Sequence, residues 1–241
     1  MNALGIDIGG SGIKGAPVNL VSGELLEERY RVETPQPATP EAVAIAVDEL
    51  VRHFNWKGKI GCGFPAAMKY GVVQTASNID KSWIGTNANE LFSKKTGQSV
   101  VVLNDADAAG MAEIKMGAGK DVKGTVLMIT IGTGIGTALF SEGKLMPNTE
   151  FGHLRMGKMI AEAYASGAVR KNEELSWSDW AKRFNEYLLY IEFLLWPDLI
   201  ILGGGLSKKH DKFLHYFTAK TKVVPAHFMN NAGIIGAAMS V

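Results

Sequence analysis

With 241 residues the chain has room for one large or two modest α/β domains, and 25 basic against 24 acidic side chains leave a formal charge of +1. So balanced a field argues against a dedicated nucleic-acid binder, and a single cysteine, Cys62, excludes an internal disulfide and any multi-cysteine zinc site. No stretch of about eighteen apolar residues occurs and no basic, then apolar, leader opens the chain, so a cytoplasmic protein without a membrane partner is expected.

The first apolar run enters a glycine-rich turn, Asp7-Ile8-Gly9-Gly10-Ser11-Gly12-Ile13-Lys14-Gly15. No amphipathic helix follows it. Ala16 to Leu20 and Gly23 to Tyr30 read instead as two further strands of a meander, so the turn is a hairpin and not a dinucleotide fingerprint. Pro40 to Phe54 has helical spacing (Val43, Ile45, Ala46, Leu50, Val51) behind Thr39 as N-cap. Lys59 to Phe64 reads as a strand, Gly71 to Val73 as a short one, Asn87 to Lys95 as a helix and Ser99 to Leu103 as an apolar strand. Ala106 to Met116 is a predicted helix and Thr125 to Ile131 a strand. The latter runs into a second glycine turn, Gly132-Thr133-Gly134-Ile135-Gly136-Thr137, and a strand to Phe140. A long helix is predicted from about Ser176 to Trp196, with Trp180, Phe184, Tyr187, Ile191 and Leu194 as its core stripe. Strand Leu199 to Leu202 then enters a third turn, Gly203-Gly204-Gly205. These elements divide into a small lobe over 1–104, completed by a C-terminal helix over 230–241, and a second lobe over 105–229. A ligand cleft is expected between them.

Two glycine hairpins more than a hundred residues apart point to phosphoryl transfer, because backbone N–H groups without intervening Cβ atoms can converge on an anion. Ser11, Thr133 and Thr137 add hydroxyl donors. Asn104-Asp105 stands where a strand meets an alanine-rich helix. Taken alone, the pair is as readily an N-cap as a general base on a sugar hydroxyl. If Thr149 to Leu154 is helical, Glu150 and His153 share a face, and Glu162 offers another carboxylate suited to a polyhydroxyl ligand. Between Ser207 and Lys222, five lysines, Lys208 and Lys209 among them, face Asp211 alone. Charge counting leaves open whether they form a solvated face or a track for a polyanion.

Together these segments, with Pro35 to Val43, Asn78-Ile79-Asp80-Lys81-Ser82-Trp83-Ile84-Gly85-Thr86 and Pro147 to His153, resemble the ROK sugar kinases over nearly the whole chain, and more closely their polyphosphate-using glucokinase branch. The resemblance implies the α/β, two-lobed, actin-like ATPase (ribonuclease H-like) fold and phosphoryl transfer from polyphosphate or ATP to the 6-hydroxyl of glucose. Asp105 would be the base, with Asn78, Asn104, Glu150, His153 and Glu162 holding the hexose. Asp7 would orient Mg2+, directly or through water. Gly9, Gly10, Ser11, Lys14, Gly132, Thr133 and Gly134 would cradle donor phosphates. Gly203, Gly204 and Gly205 would bound an adenosine pocket, and Lys208 and Lys209 would lead polyphosphate in. The resemblance also implies a homodimer, and no zinc, because Leu154 to Ala161 lacks the cysteines that most ROK kinases carry there. An ATP-dependent kinase for mannose or an N-acetylated amino sugar is the alternative. A DNA-binding regulator of the same family is not expected, since only four residues precede Gly5.

Overall fold

The computed structural model describes residues 1–77 and 79–241; Asn78 lies outside the described residues. The chain divides into two compact units, Met1–Ala112 with Asn231–Val241, and Glu113–Asn230.

In the first unit, β1 (Asn2–Gly9), β2 (Gly12–Asn19) and β3 (Tyr30–Val32) form an antiparallel meander. After α1 (Pro40–His53), β4 (Ile60–Phe64) pairs parallel to β1. The small hairpin of β5 (Met68–Lys69) and β6 (Val72–Val73) and helix α2 (Ala88–Thr96) precede β7 (Val100–Asn104), which completes the sheet in the order β3-β2-β1-β4-β7. Helix α3 (Asp105–Met116) leads out of this sheet.

The second unit repeats the pattern. Here β8 (Thr125–Ile131), β9 (Ile135–Ser141) and β10 (Lys144–Met146) make the meander. Next come a hairpin of β11 (Arg155–Met156) and β12 (Met159–Ile160), helices α4 (Ala161–Ala165) and α5 (Gly167–Asn172), and the long α6 (Trp177–Leu195). Strands β13 (Leu199–Gly203) and β14 (Lys222–Pro225) add parallel to β8, giving β10-β9-β8-β13-β14. Helix α7 (Ala232–Ala238) then returns to the first unit.

The core of the first unit gathers Leu4, Ile6, Ile8, Val47, Leu50 and Phe64 around Trp83, whose indole donates to Ala38 O at 2.9 Å. On the opposite sheet face α7 packs so closely that a Cβ on Gly5 would lie 1.9 Å from Ile234 O, and one on Gly61 1.7 Å from Ala237 O. Only glycine tolerates such an approach between a helix backbone and a strand. In the second unit Trp180, Phe184, Tyr187 and Ile191 are fully buried, but Leu194 is 47% exposed. Position 188 takes its place in the core, because the stripe drifts around α6. Ile45 of α1 likewise faces outward.

The third strand also differs from its prediction. It begins at Tyr30, not Gly23, and the preceding segment makes an isolated Val18–Leu25 bridge to β2 instead of a strand. With Glu24, Glu27 and Glu28 exposed, that stretch has little apolar surface to bury along a strand. Cys62 is buried, and burial pushes its thiol far up.

Candidate active site

In the first unit Gly9 stands opposite Gly12, and Gly10-Ser11 form the exposed hairpin tip. The Thr34 hydroxyl donates to Gly9 O at 2.5 Å and pins the tip from beneath. Asp7 lies opposite Lys14 in the β1–β2 register. Burial raises the Asp7 carboxyl above the ordinary carboxylate range, while the charges of Lys14 and Arg29 pull it down. At the end of β7 the Asn104 side chain accepts from Ala106 N at 2.9 Å and Asp107 N at 3.1 Å, and its amide donates to Ala66 O at 3.2 Å. Asn104 therefore caps α3, which commits its carbonyl oxygen and leaves one amide hydrogen for a ligand. The Asp105 carboxylate accepts from Ala106 N at 2.7 Å, which orients it at the same strand-to-helix junction.

In the second unit Glu150, His153 and Glu162 come together. His153 Nδ1 lies 3.7 Å from a Glu150 oxygen and Nε2 lies 3.7 Å from a Glu162 oxygen. The local helix is only a single 3-10 turn, Phe151–His153, and three residues per turn eclipse positions 150 and 153 as the spacing requires. Glu150 is raised from its ordinary range by burial first; His153 lowers it and Glu162 raises it further. Gly152 makes the arrangement possible, because a Cβ there would lie 2.1 Å from Ile135 O, next to the second glycine turn. Glu162 reaches the same place, accepting from Ile135 N at 3.4 Å.

That second turn, Gly132 to Gly134, is closed by Gly132 N donating to Gly134 O at 3.0 Å and is flanked by α5, where a Cβ on Gly167 would meet Gly132 O at 2.7 Å. Thr133 is exposed at its tip. Thr137 departs from its expected role. Its buried hydroxyl donates to Thr149 O at 2.5 Å and accepts from Phe151 N at 3.1 Å, so it fixes the Glu150 turn to β9 and is not a phosphate donor. In the third turn Gly204 adopts φ +78°, and a Cβ there would lie 2.5 Å from Ile131 O, so this glycine is set by close approach to β8. Lys208 and Lys209 sit on an exposed 3-10 segment, Gly205–Lys212, and not on an α-helix face. The Lys209 ammonium lies 6.0 Å from the Trp177 ring that Arg170 stacks on at 3.6 Å. The cysteine-free stretch from Leu154 to Ala161 contains the β11–β12 hairpin, with Gly157 at its turn.

The structure also shows a cavity whose lining includes residues given no role in the sequence reading. It encloses about 260 Å³ in the first unit and is lined by Gly9, Gly10, Thr34, Gln36, Ile79 and Asp80, among others. Asp80 is held by the Ser82 hydroxyl and N–H at 2.5 and 2.8 Å, and these bonds keep its carboxyl below the ordinary range. Its place in the Asn78–Thr86 segment was the available signal.

Two five-stranded sheets of one topology, each opened by a glycine hairpin, define the actin-like sugar kinase fold class. The chain belongs to the ROK family, whose model matches residues 3–168. It is 50% identical over 240 residues to the polyphosphate glucokinase of Mycobacterium tuberculosis, covering 99% of this chain and 91% of that protein. Against the polyphosphate glucokinase of Mycobacterium leprae the identity is 48%, over 98% of this chain and 74% of the relative. The crystal structure of the inorganic polyphosphate/ATP-glucomannokinase of Arthrobacter sp. strain KM superposes with a TM-score of 0.97 at 48% identity, over 99% and 97% of the two chains.

Proposed function

We propose that this protein is a polyphosphate glucokinase, transferring the terminal phosphoryl group of inorganic polyphosphate, or of ATP, to the 6-hydroxyl of glucose to give glucose 6-phosphate. The observation that carries this reading is the Glu150–His153–Glu162 cluster held by Gly152 against a glycine phosphate turn, in a chain half identical to enzymes of that name. Two carboxylates around an imidazole can accept from and bridge vicinal sugar hydroxyls. Asn78 and Asn104 complete the hexose contacts. Asp105 takes the proton of the 6-hydroxyl as that oxygen attacks phosphorus, and the carboxylate ends the step protonated. Gly9, Gly10, Ser11, Lys14, Gly132, Thr133 and Gly134 hold donor phosphates, and Gly203 to Gly205 bound the nucleotide when ATP is the donor. Lys208 and Lys209 lead polyphosphate toward them.

Asp7 holds Mg2+ directly or through water. A single partly buried carboxylate would suit a divalent ion held mainly by its donor and by water, and among the described residues no trio of His, Cys, Asp or Glu builds a closed site. The ion, when bound, neutralises phosphate charge. A cytoplasmic location is part of this proposal; among the described residues no helix is long and apolar enough to cross a membrane. A homodimer is supported by the exposed apolar side chains of Phe193, Leu194 and Trp196 at the end of α6. Mannose is a second acceptor to be tested, since the Arthrobacter relative is a glucomannokinase by name. The decisive experiment is product formation by nucleotide-free protein with polyphosphate, ATP or no donor, each with Mg2+ and with glucose or mannose. Product from ATP alone would overturn the donor assignment.

A further inference from the structure

Asp7 pairs with Lys14 across β1 and β2, and Lys14 pairs with Arg31 across β2 and β3. Directly opposed residues share a sheet face, and strands lie about 4.8 Å apart, so these three side chains form a row spanning about 10 Å. Arg31 does not merely project from this row. Its Nη2 donates to Ser11 O at 2.6 Å, and a Cβ on Gly12 would fall 2.4 Å from its Nε. Gly12 thus provides the seat that lets the guanidinium lie against the first glycine hairpin, the turn to which the proposed function assigns donor phosphates.

Arg29 lies close enough to act on the Asp7 carboxyl, and its guanidinium donates to Asn231 Oδ1 at 3.3 Å, so it is tied to the start of α7. Glu27, Glu28 and Glu33 are exposed neighbours in sequence. Among the described residues, however, no carboxylate forms an ion pair with Arg29 or Arg31. A guanidinium carries five N–H donors in a planar fork that matches phosphate oxygens, and the bond to Ser11 uses one of them.

We propose that Arg31, on the edge strand β3 at the outer side of the hairpin, forms with Lys14 and Arg29 a track for the chain of a polyphosphate donor on the β1–β2–β3 face. This rests on the donor named under the proposed function. A nucleotide carries its charge on three phosphoryl groups at one end. Polyphosphate carries charge on every unit, so cations beyond the hairpin act on it alone.

The test measures binding of tagged polyphosphate of defined length, and of Mg-ATP, to wild type, Arg31→Gln, Arg31→Lys and Arg29→Ala/Arg31→Ala over a salt series. Glutamine keeps a donor for Ser11 O without the charge, which separates the anion contact from support of the turn. The expected result for Arg31→Gln is polyphosphate binding about tenfold or more weaker, ATP binding within about threefold, and a log–log salt slope shallower by about 0.7. Arg31→Lys should bind polyphosphate better than Arg31→Gln, and the double variant should bind it more weakly than Arg31→Gln. Equal losses for both donors, or an unchanged salt slope in a folded variant, would overturn the assignment. Wild-type protein that neither binds nor uses polyphosphate would overturn the proposed donor and this track together, whereas polyphosphate use unaffected by Arg31→Gln would overturn the track alone.

Discussion

Gly152→Ala puts a methyl group 2.1 Å from Ile135 O, where carbon–oxygen contacts do not fall below 3.0 Å, so about 0.9 Å of movement must be found. The strain cannot be shed by a flexible side chain, because the opposing atom belongs to the backbone of β9. If the 3-10 turn retreats, it carries Glu150 and His153 away from Glu162 and breaks the Thr137–Phe151 bond. If β9 yields instead, the Gly132–Gly134 turn moves, and so does the Ile135 N–H that anchors Glu162. Either way, the groups that the proposed function assigns to the hexose and a donor phosphate are displaced by nearly 1 Å, an error that typically costs about 100-fold in rate, or about 2.7 kcal/mol of barrier. Initial rates over a glucose series at saturating donor should show kcat/KM for glucose reduced by about two orders of magnitude. Circular dichroism should stay native, since Gly152 lies outside the sheet cores. A folded variant with kcat/KM within about threefold of wild type would refute the idea that Gly152 sets the sugar site.

Asp105→Asn should retain glucose binding by calorimetry and lose turnover by about 100-fold or more, the usual cost of removing a general base; near-normal kcat would remove Asp105 from that role. Lys208→Ala with Lys209→Ala should raise KM for polyphosphate more than KM for ATP, and equal changes would make them ordinary surface charges. Glu150→Gln should stabilise the fold in a pH-dependent manner. The raised Glu150 carboxyl favours the folded state while protonated, an advantage complete below its unfolded value and lost as pH rises through the folded one. The variant's gain in Tm should therefore be larger at pH 7 than at pH 4, and the reverse order would contradict burial as the cause. Glu113 is buried and accepts from Ala118, His227 and Phe228 N–H groups at 2.8 to 3.0 Å, so Glu113→Ala should cost about 3 kcal/mol or more in urea denaturation.

Much of the fold was legible because its signals are local. Thr39 caps α1 as read, Ser176 caps α6, and β8 runs over the predicted Thr125–Ile131. Within the second unit the sugar candidates were readable as types and spacing, and they do converge. What escaped depends on register and on close approach. Arg31 lies just past the strand expected over Gly23 to Tyr30 and was not singled out; only the observed start of β3 at Tyr30 sets it opposite Lys14. Thr137 looked like a phosphate ligand because a hydroxyl in a glycine-rich turn gives no hint of an inward bond. The pattern of α6 gave Leu194 the right period, but it could not say where the core ends.

Helix α7 belongs to the first unit yet follows Glu113–Asn230 in the chain. During synthesis at about 5–20 residues per second, the 118 residues of that insertion take about 6–24 s to make. For that interval the sheet face marked by Gly5 and Gly61 has no helix to receive, while the second unit, being continuous, can already close. The part translated first is therefore finished last. Chaperone dependence should accordingly map to the nascent N-terminal sheet and should be relieved when α7 is supplied early, as in a circular permutant that starts near residue 231.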